Sequence, residues 1–138
     1  MALKIDGCNC TSLRRATRRV SQLYDSRLAP IGLRATQFGI LGVLDEVGEA
    51  SINDLAAHLD MDRTTMGKNL RPLERRGLLA ITPSPTDERA RLVRLTDAGR
   101  EVLKAGRPLW REAQEHFERL NGPDNTAALR QLLLAVKV

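Results

Sequence analysis

Residues 51–96 limit the folds open to this chain most strongly, because they hold two helical patterns followed by two strand-like runs. In the first helical pattern, apolar residues recur at positions i, i+3, i+4 and i+7, which lie on one face of a helix. These residues are Ile52, Leu55, Ala56 and Leu59. Ser51 precedes them, with Asp54 three residues later, so the Ser51 side chain is predicted to cap the first turn.

The second helical pattern runs from Arg63 to Arg76 and separates apolar from polar side chains. Asp62 is the predicted N-cap, and Gly77 is a typical residue at which a helix ends. The apolar stripe consists of Met66, Leu70 and Leu73. Pro72 removes one backbone hydrogen bond and crowds the preceding turn. Because the stripe continues past the proline, we expect a bend in the helix; an end at Arg71 is the alternative.

The opposite face of this second helix carries side chains that suit DNA. Arg and Lys bond guanine or phosphate, Asn can make two hydrogen bonds to adenine, and Thr contacts phosphate or a thymine methyl group. Together with the predicted cap of the first helix, the candidate DNA contacts are Ser51, Arg63, Thr64, Thr65, Lys68, Asn69, Arg71 and Arg75.

Two short β-leaning runs follow the helices, at residues 78–81 and 92–95. The prolines between them limit a β-ladder, because proline has no N–H to donate. An arginine on such a loop can enter the minor groove of DNA. Asp87, Arg89 and Arg91 are therefore candidate DNA contacts, with Asp87 expected to hold Arg89 by a side-chain pair. Two helices and a hairpin in this order predict a winged helix-turn-helix; for the loop alone, a solvated hairpin is the alternative.

Three spaced motifs in this segment resemble a known family. They are Asp62-Arg63-Thr64-Thr65, Leu70-x-x-Leu73-Glu74-x-x-Gly77-Leu78 and Asp87-x-Arg89-x-x-x-Val93-x-Leu95-Thr96-x-x-Gly99. The family is the MarR family of bacterial transcriptional regulators, and the resemblance extends over nearly the whole chain. It implies a homodimer that binds a palindromic operator in double-stranded DNA, usually as a repressor. It also implies release by a small molecule or, in some members, by thiol oxidation. Gly67 and Lys68 depart from the pattern, in which Thr or Ser and then Arg are common.

The expected fold is mainly α with a small β-wing, in one domain spanning residues 1–138. Residues 35–96 form the predicted DNA-binding part, and residues 11–30 and 97–138 the predicted dimerisation helices. We expect the first helix to start near Thr11 or Ser12, and Asp97 to cap a long helix that ends at Asn121-Gly122-Pro123. Amphipathic helices at the chain ends must bury their apolar stripes, and a second copy is an economical partner. Packing on their own core in a monomer is the alternative.

A small-molecule effector is a further expectation that rests on the resemblance. It implies a pocket between the first, second and long helices. The candidate lining residues are Tyr24, Arg27, Phe38 and Trp110. Arg27 can pair with the carboxylate of an aromatic acid. The alternative is that all four are ordinary core and interface residues.

The two cysteines, Cys8 and Cys10, are candidate redox residues ahead of the first helix. A helix N-terminus and nearby arginines lower the pKa of a thiol, which favours a reactive Cys10. Reduced thiols in a loosely ordered N-terminus are the alternative. Two thiols do not complete a tetrahedral zinc site, so no metal is predicted.

Charge distribution agrees with a DNA-binding role. The formal net charge is +5, and residues 61–95 carry eight basic and four acidic side chains, whereas residues 35–60 carry five acidic and no Lys or Arg. No catalytic constellation or phosphate-binding loop is present, so we predict neither an enzyme nor a cofactor. No apolar run is long enough to span a bilayer, which predicts a cytoplasmic protein with no membrane partner. A winged-helix module for protein interaction or DNA architecture is the alternative function.

Overall fold

The computed structural model describes residues 1–138 as six helices and a three-stranded antiparallel sheet. In chain order the elements are α1 (Asn9–Leu28), α2 (Ala35–Val47), β1 (Glu49–Ser51), α3 (Ile52–His58), α4 (Arg63–Arg75), β2 (Leu79–Pro83), β3 (Arg91–Leu95), α5 (Asp97–Asn121) and α6 (Pro123–Leu134). Single 3-10 turns lie at Ile5–Gly7 and Ala29–Ile31. The predicted fold class, mainly helical with a small β-wing, is confirmed.

Helix α1 begins at Asn9, earlier than the predicted start at Thr11 or Ser12. Cys8 is its N-cap, and the Ser12 backbone N–H donates to the Cys8 carbonyl oxygen at 3.0 Å. The preceding 3-10 turn leads the chain directly into the helix. Cys10 therefore lies inside the first helical turn, and the expectation that both cysteines precede the helix was wrong.

Helix α4 continues through Pro72 to Arg75, as its apolar spacing predicted. The helix thus ends one residue before the expected Arg76, which is its C-cap. Gly77 then adopts a φ of +72°, the left-handed conformation that glycine reaches without strain. The Gly77 N–H donates to the Glu74 carbonyl at 2.9 Å and the Leu78 N–H to the Leu73 carbonyl at 3.0 Å. These two bonds satisfy carbonyl groups that the helix end leaves open.

The cap of helix α5 differs from the prediction. Thr96, not Asp97, is the N-cap, and its hydroxyl oxygen accepts from the Gly99 backbone N–H at 3.1 Å. Asp97 is already helical, and its carboxylate pairs with Arg100 at 2.6 Å. Thr96 is extended, with φ −88° and ψ 172°, as an N-cap requires. The same hydroxyl donates to the Gly77 carbonyl at 2.6 Å, which joins the start of α5 to the end of α4.

The sheet has β3 at its centre, between β1 and β2. The β2–β3 pairing runs from Leu79 opposite Leu95 to Pro83 opposite Arg91, slightly longer than predicted. Pro83 is tolerated because it is the last residue of an edge strand. Strand β1, Glu49–Ser51, was not predicted, since three residues carry too little alternation to signal a strand.

The hydrophobic core lies within the central part of the chain. Helices α2, α3 and α4 and the sheet supply most of its 16 buried residues, while α1 and α5 contribute Leu28 and Leu103. Helix α6 contributes none, and its large apolar side chains stay exposed; they are Leu129, Leu132, Leu133 and Leu134. The terminal helices thus retain apolar surface that the single chain does not cover. No helix combines the length and the apolar character needed to cross a membrane.

Candidate nucleic-acid interface

Helix α4 buries its apolar stripe completely and turns its polar face to solvent. Met66, Leu70 and Leu73 are 0%, 1% and 0% exposed. The structure brings the predicted DNA contacts of this helix together on the opposite face: Arg63, Thr64, Thr65, Lys68, Arg71 and Arg75 are exposed, and Asn69 is half-buried. This face therefore presents cations, hydroxyl groups and one amide to any partner.

Both helices of the helix-turn-helix begin at a side-chain cap. The Ser51 hydroxyl oxygen accepts from the Asp54 backbone N–H at 3.0 Å. Asp62 accepts from the Thr65 backbone N–H at 2.7 Å and from the Thr65 hydroxyl at 2.8 Å. The Asn69 amide donates to the Thr65 carbonyl at 2.9 Å. Thr65 and Asn69 are thus held by bonds within α4, and Asn69 keeps its second amide N–H and its amide oxygen for a base.

We expect Asp62→Asn to reduce the loss of stability in acid. The Thr65 backbone N–H, then the Thr65 hydroxyl, hold the pKa of Asp62 below its ordinary value of 3.8. A carboxyl whose folded pKa is lowered stabilises the fold above its unfolded pKa and loses that contribution as the pH falls through the folded pKa. The melting temperature of the wild type should therefore fall more between about pH 5 and pH 2 than that of the variant, whose amide still caps α4.

Asp60→Asn is the matched control, because the exposed Asp60 carboxylate accepts no hydrogen bond. It should keep the pH dependence of the wild type. Melting temperatures would be measured by circular dichroism. If they fall equally in acid for the wild type and Asp62→Asn, the Asp62 cap contributes nothing to the acid sensitivity.

The wing loop is closed by backbone bonds, and its arginines form no ion pair with a carboxylate. The Ser84 N–H donates to the Ala90 carbonyl at 3.0 Å. The Asp87 carboxylate accepts from the backbone N–H of Arg89 at 3.0 Å. The predicted side-chain pair between Asp87 and Arg89 is therefore wrong. The Asp87 carboxylate accepts a hydrogen bond from the Arg89 backbone and not from its guanidinium. The ion pairs of this chain join Asp6 to Arg15, Asp97 to Arg100 and Asp45 to Arg107, so the Arg89 guanidinium has no acidic partner.

A groove of about 490 Å³ separates α4 from the wing. Arg71 from α4 and Arg91 from β3 both line it, with Glu74 beside them. Gly67 also lines the groove, and an added Cβ there would meet nothing within 4 Å. The helix and the wing thus each contribute an arginine to one cationic surface, and cations of this kind are what attract a phosphate backbone.

The four candidate effector residues occupy different surroundings. Phe38 is in the core, Trp110 is exposed, and Arg27 is half-buried beside the Ser26 hydroxyl. Tyr24 alone lines an apolar groove of about 500 Å³ formed by α1, α5 and α6, where its hydroxyl donates to Gln114. Burial and then the charge of Glu118 raise the pKa of Tyr24.

The two thiols sit at the start of α1. Cys8 is half-buried at the N-cap, Cys10 is exposed, and they form no disulfide. The Thr11 hydroxyl and then the Thr11 backbone N–H lower the pKa of the Cys8 thiol, although the sulfur makes no capping hydrogen bond within bonding geometry. No group of three or more His, Cys, Asp or Glu side chains is placed to hold a metal.

Arg76 makes a contact that no sequence pattern identified. Its guanidinium donates to the carbonyl oxygens of Gly32 at 2.9 Å and Ile31 at 3.1 Å. A basic residue at a helix C-terminus was visible in the sequence, but its partners lie 44 and 45 residues upstream. Their proximity depends on the tertiary fold.

The model of the MarR family matches residues 31–90. The transcriptional repressor IacR of Pseudomonas putida is 30% identical over 100 residues, which are 72% of this chain and 60% of IacR. The chain spans 60% and 62% of the length of the first two curated relatives that it matches.

Solved structures match over a larger share of their length. The regulator MOSR of M. tuberculosis, solved in complex with DNA, is 34% identical with a TM-score of 0.79, over 95% of this chain and 99% of MOSR. The repressor CouR, solved bound to a 23-mer DNA duplex, is 31% identical with a TM-score of 0.84, over 97% of both chains. CouR has also been solved bound to p-coumaroyl-CoA. The chain belongs to the MarR family of winged helix-turn-helix transcriptional regulators.

Proposed function

We propose that this protein is a repressor that binds a palindromic DNA operator as a homodimer and leaves it when a small-molecule effector binds. The observation that carries the proposal is the single cationic surface on which α4 and the wing meet, with Arg71 and Arg91 in one groove. In this assignment residues 35–96 contact DNA, residues 11–30 and 97–138 form the dimer, and the protein acts in the cytoplasm. The DNA complexes of MOSR and CouR support this assignment.

The dimer is supported by the apolar groove between α1, α5 and α6. Eight of its 13 lining residues are hydrophobic, and Leu129 and Leu133 remain 42% and 46% exposed there. A second copy would cover this surface through the same residues on both chains. Two-fold symmetry then places the two α4 helices about 34–36 Å apart, one turn of DNA, so that each enters a major groove of one half-site.

The contacts divide into two kinds. Lys68 and Asn69 lie where α4 would meet base edges, and Arg63, Thr64, Thr65, Arg71 and Arg75 surround them as phosphate contacts. Ser51 still has its hydroxyl proton to donate to a phosphate, because its oxygen acts only as an acceptor in the cap. Phosphate contacts fix the register, and base contacts supply the specificity.

We expect Arg89→Ala to weaken operator binding by about tenfold without changing the melting temperature. The residue is exposed on the wing, and its guanidinium has no partner within the chain, so only DNA loses a contact. Binding would be measured by fluorescence anisotropy at fixed salt. Lys4→Ala removes the same charge from an exposed position outside the DNA-binding and dimerisation segments and serves as control. Equal weakening by both variants would assign the effect to net charge alone.

The effector is proposed as an aromatic acid or its thioester. The p-coumaroyl-CoA complex of CouR supports this chemical class. Arg27 is the proposed partner of its negative charge, and Phe38 and Trp110 are the proposed apolar contacts, whereas Tyr24 lines the groove assigned to the dimer. Binding between α1, α2 and α5 would change the position of the winged unit relative to the dimer helices, and thereby the spacing of the two α4 helices.

Oxidation of Cys8 or Cys10 is a second proposed release signal, supported by the lowered pKa of the Cys8 thiol. A thiol with lowered pKa holds more thiolate, the species that reacts with peroxide. Peroxide treatment followed by mass spectrometry of the thiols tests it. Unmodified cysteines and unchanged DNA affinity at modest oxidant would remove this signal.

The competing function is a winged-helix module for protein interaction or DNA architecture. It predicts binding without sequence preference, or an apolar contact face. The polar face of α4 disfavours a protein partner. Selection of duplexes from a random pool separates the two functions, because only the regulator enriches a defined site.

A further inference from the structure

Arg76 lies at the junction between α4 and the rest of the molecule. It is the C-cap of α4, directly after the helix that carries the candidate base contacts. Its guanidinium nitrogens donate to two successive carbonyl oxygens, those of Ile31 and Gly32. No carboxylate pairs with it, so these carbonyls are the partners of its charge.

The guanidinium of Arg76 packs closely against the Ile31–Gly32 turn. Gly32 is the C-cap of the short 3-10 turn and has a φ of +69°, a left-handed conformation that glycine adopts without strain. A Cβ added at Gly32 would lie 3.4 Å from Nη1 of Arg76, so the guanidinium packs directly on the glycine. A cation at the carbonyl end of a helical turn is also favoured by the aligned peptide dipoles.

The same turn is packed against α5. A Cβ added at Gly106 would lie 2.5 Å from Cε2 of Phe38 and 2.7 Å from Cδ1 of Ile31. Ile31 therefore contacts α5 with its side chain and Arg76 with its carbonyl. Nearby, Arg107 of α5 pairs with Asp45 of α2 at 2.6 Å, which adds a polar contact between these two helices.

We propose that Arg76 is a positioning residue that couples the packing of α5 on the Ile31–Gly32 turn to the orientation of α4. The inference rests on the proposed function in one respect: α4 must be the helix that reads DNA. A movement of α5 against Ile31 shifts the carbonyl groups of Ile31 and Gly32. The guanidinium of Arg76, which is bonded to both, transmits this shift to the end of α4. The distance between the two α4 helices of a dimer then depends on this contact.

The substitutions Arg76→Lys and Arg76→Ala separate this role from a phosphate contact. Lysine keeps the charge but does not make the planar two-carbonyl fork. Each variant would be tested on the operator and on the same site with one base pair inserted between the half-sites. The preference for the correct spacing is the ratio of the affinities for these two DNAs. We expect it to fall about tenfold in both variants, a usual size for coupling between sites. The slope of log K against log salt should stay that of the wild type.

A phosphate contact gives the opposite pattern. Arg76→Lys would then bind as the wild type does, and Arg76→Ala would lower the salt slope by about 1.8, about 0.9 for each copy in the dimer, with the spacing preference intact. That result, or no change in either variant, would overturn the proposal. Thermal melts check that both variants are folded, and Lys4→Ala, an exposed residue outside the DNA-binding and dimerisation segments, controls for the lost charge.

Hydrogen exchange tests the coupling without DNA. Gly106→Ala displaces Ile31 or Phe38, and we expect faster exchange of the amides of residues 73–78 at the end of α4. In an Arg76→Ala background the same substitution should leave those amides unchanged, because the link is already broken. Equal effects of Gly106→Ala in both backgrounds would refute the coupling. If the wild type enriched no DNA site, the proposed function would fail. The hydrogen-exchange measurement would still show whether Arg76 couples α5 to the end of α4.

Discussion

Gly99→Ala should lower the free energy of unfolding by about 3 kcal/mol, the upper part of the range for overpacking a buried position. A Cβ at Gly99 would lie 1.9 Å from the carbonyl oxygen of Leu78, which is backbone and has no rotamer to escape to. That carbonyl also accepts from the Thr96 N–H at 3.2 Å. Alanine must therefore push apart the end of α4, the start of β2 and the N-cap of α5, whose Thr96 hydroxyl accepts from the Gly99 amide.

Gly67→Ala is the matched control for this prediction. Gly67 lies inside α4, and an added Cβ there meets nothing within 4 Å. Alanine at such a helical position should raise the free energy of unfolding by about 0.5–1 kcal/mol. Both variants would be unfolded in urea at one protein concentration, because dimerisation makes stability depend on concentration. Opposite signs support the packing argument, and a Gly99→Ala protein as stable as the wild type would contradict it.

Deleting residues 121–138 should yield monomers that bind the operator about 100-fold more weakly or worse. The deletion removes α6, with the exposed Leu129 and Leu133 that line the apolar groove. A monomer engages only one half-site and loses the gain that comes from linking two binding units. Sedimentation velocity gives the oligomeric state, and anisotropy gives the affinity. A stable dimer after this truncation would refute the role of the C-terminal helix.

The truncated chain could lose its dimer simply because it unfolds, so a point variant of the full-length chain provides a second test of the interface. Leu133→Arg places a charge in the groove, whereas Gln131→Arg places it on an exposed residue that does not line the groove. We expect the first to raise the dimer dissociation constant and the second to leave it unchanged. Equal dimerisation of the two variants would place the interface elsewhere.

Local patterns predicted the helices because local interactions form them. The spacing of Met66, Leu70 and Leu73 fixed which face of α4 is buried, and the caps Ser51 and Asp62 are confirmed by bonds within three residues of each. The polar face of α4 follows from the same period, so its residues were predicted to be exposed together without knowledge of the fold.

Features that depend on distant contacts could not be predicted in this way. Strand β1 exists because Glu49–Ser51 lies against β3, more than forty residues away, and not because its three residues favour a strand. Thr96 rather than Asp97 caps α5, since its hydroxyl also reaches the Gly77 carbonyl. The Arg76 contact likewise requires α4 and the Ile31–Gly32 turn to be neighbours, which only the packed core establishes.

Selection of bound duplexes from a random pool, at a stated salt concentration, tests the central claim most directly. Salt must be fixed because phosphate contacts alone make binding strongly salt-dependent. A homodimeric regulator should enrich a two-fold symmetric site whose half-sites are centred about one helical turn, 10–10.5 base pairs, apart. Salt-sensitive binding with no enriched sequence would contradict this claim, and the assignment of base contacts to α4 would have to be withdrawn.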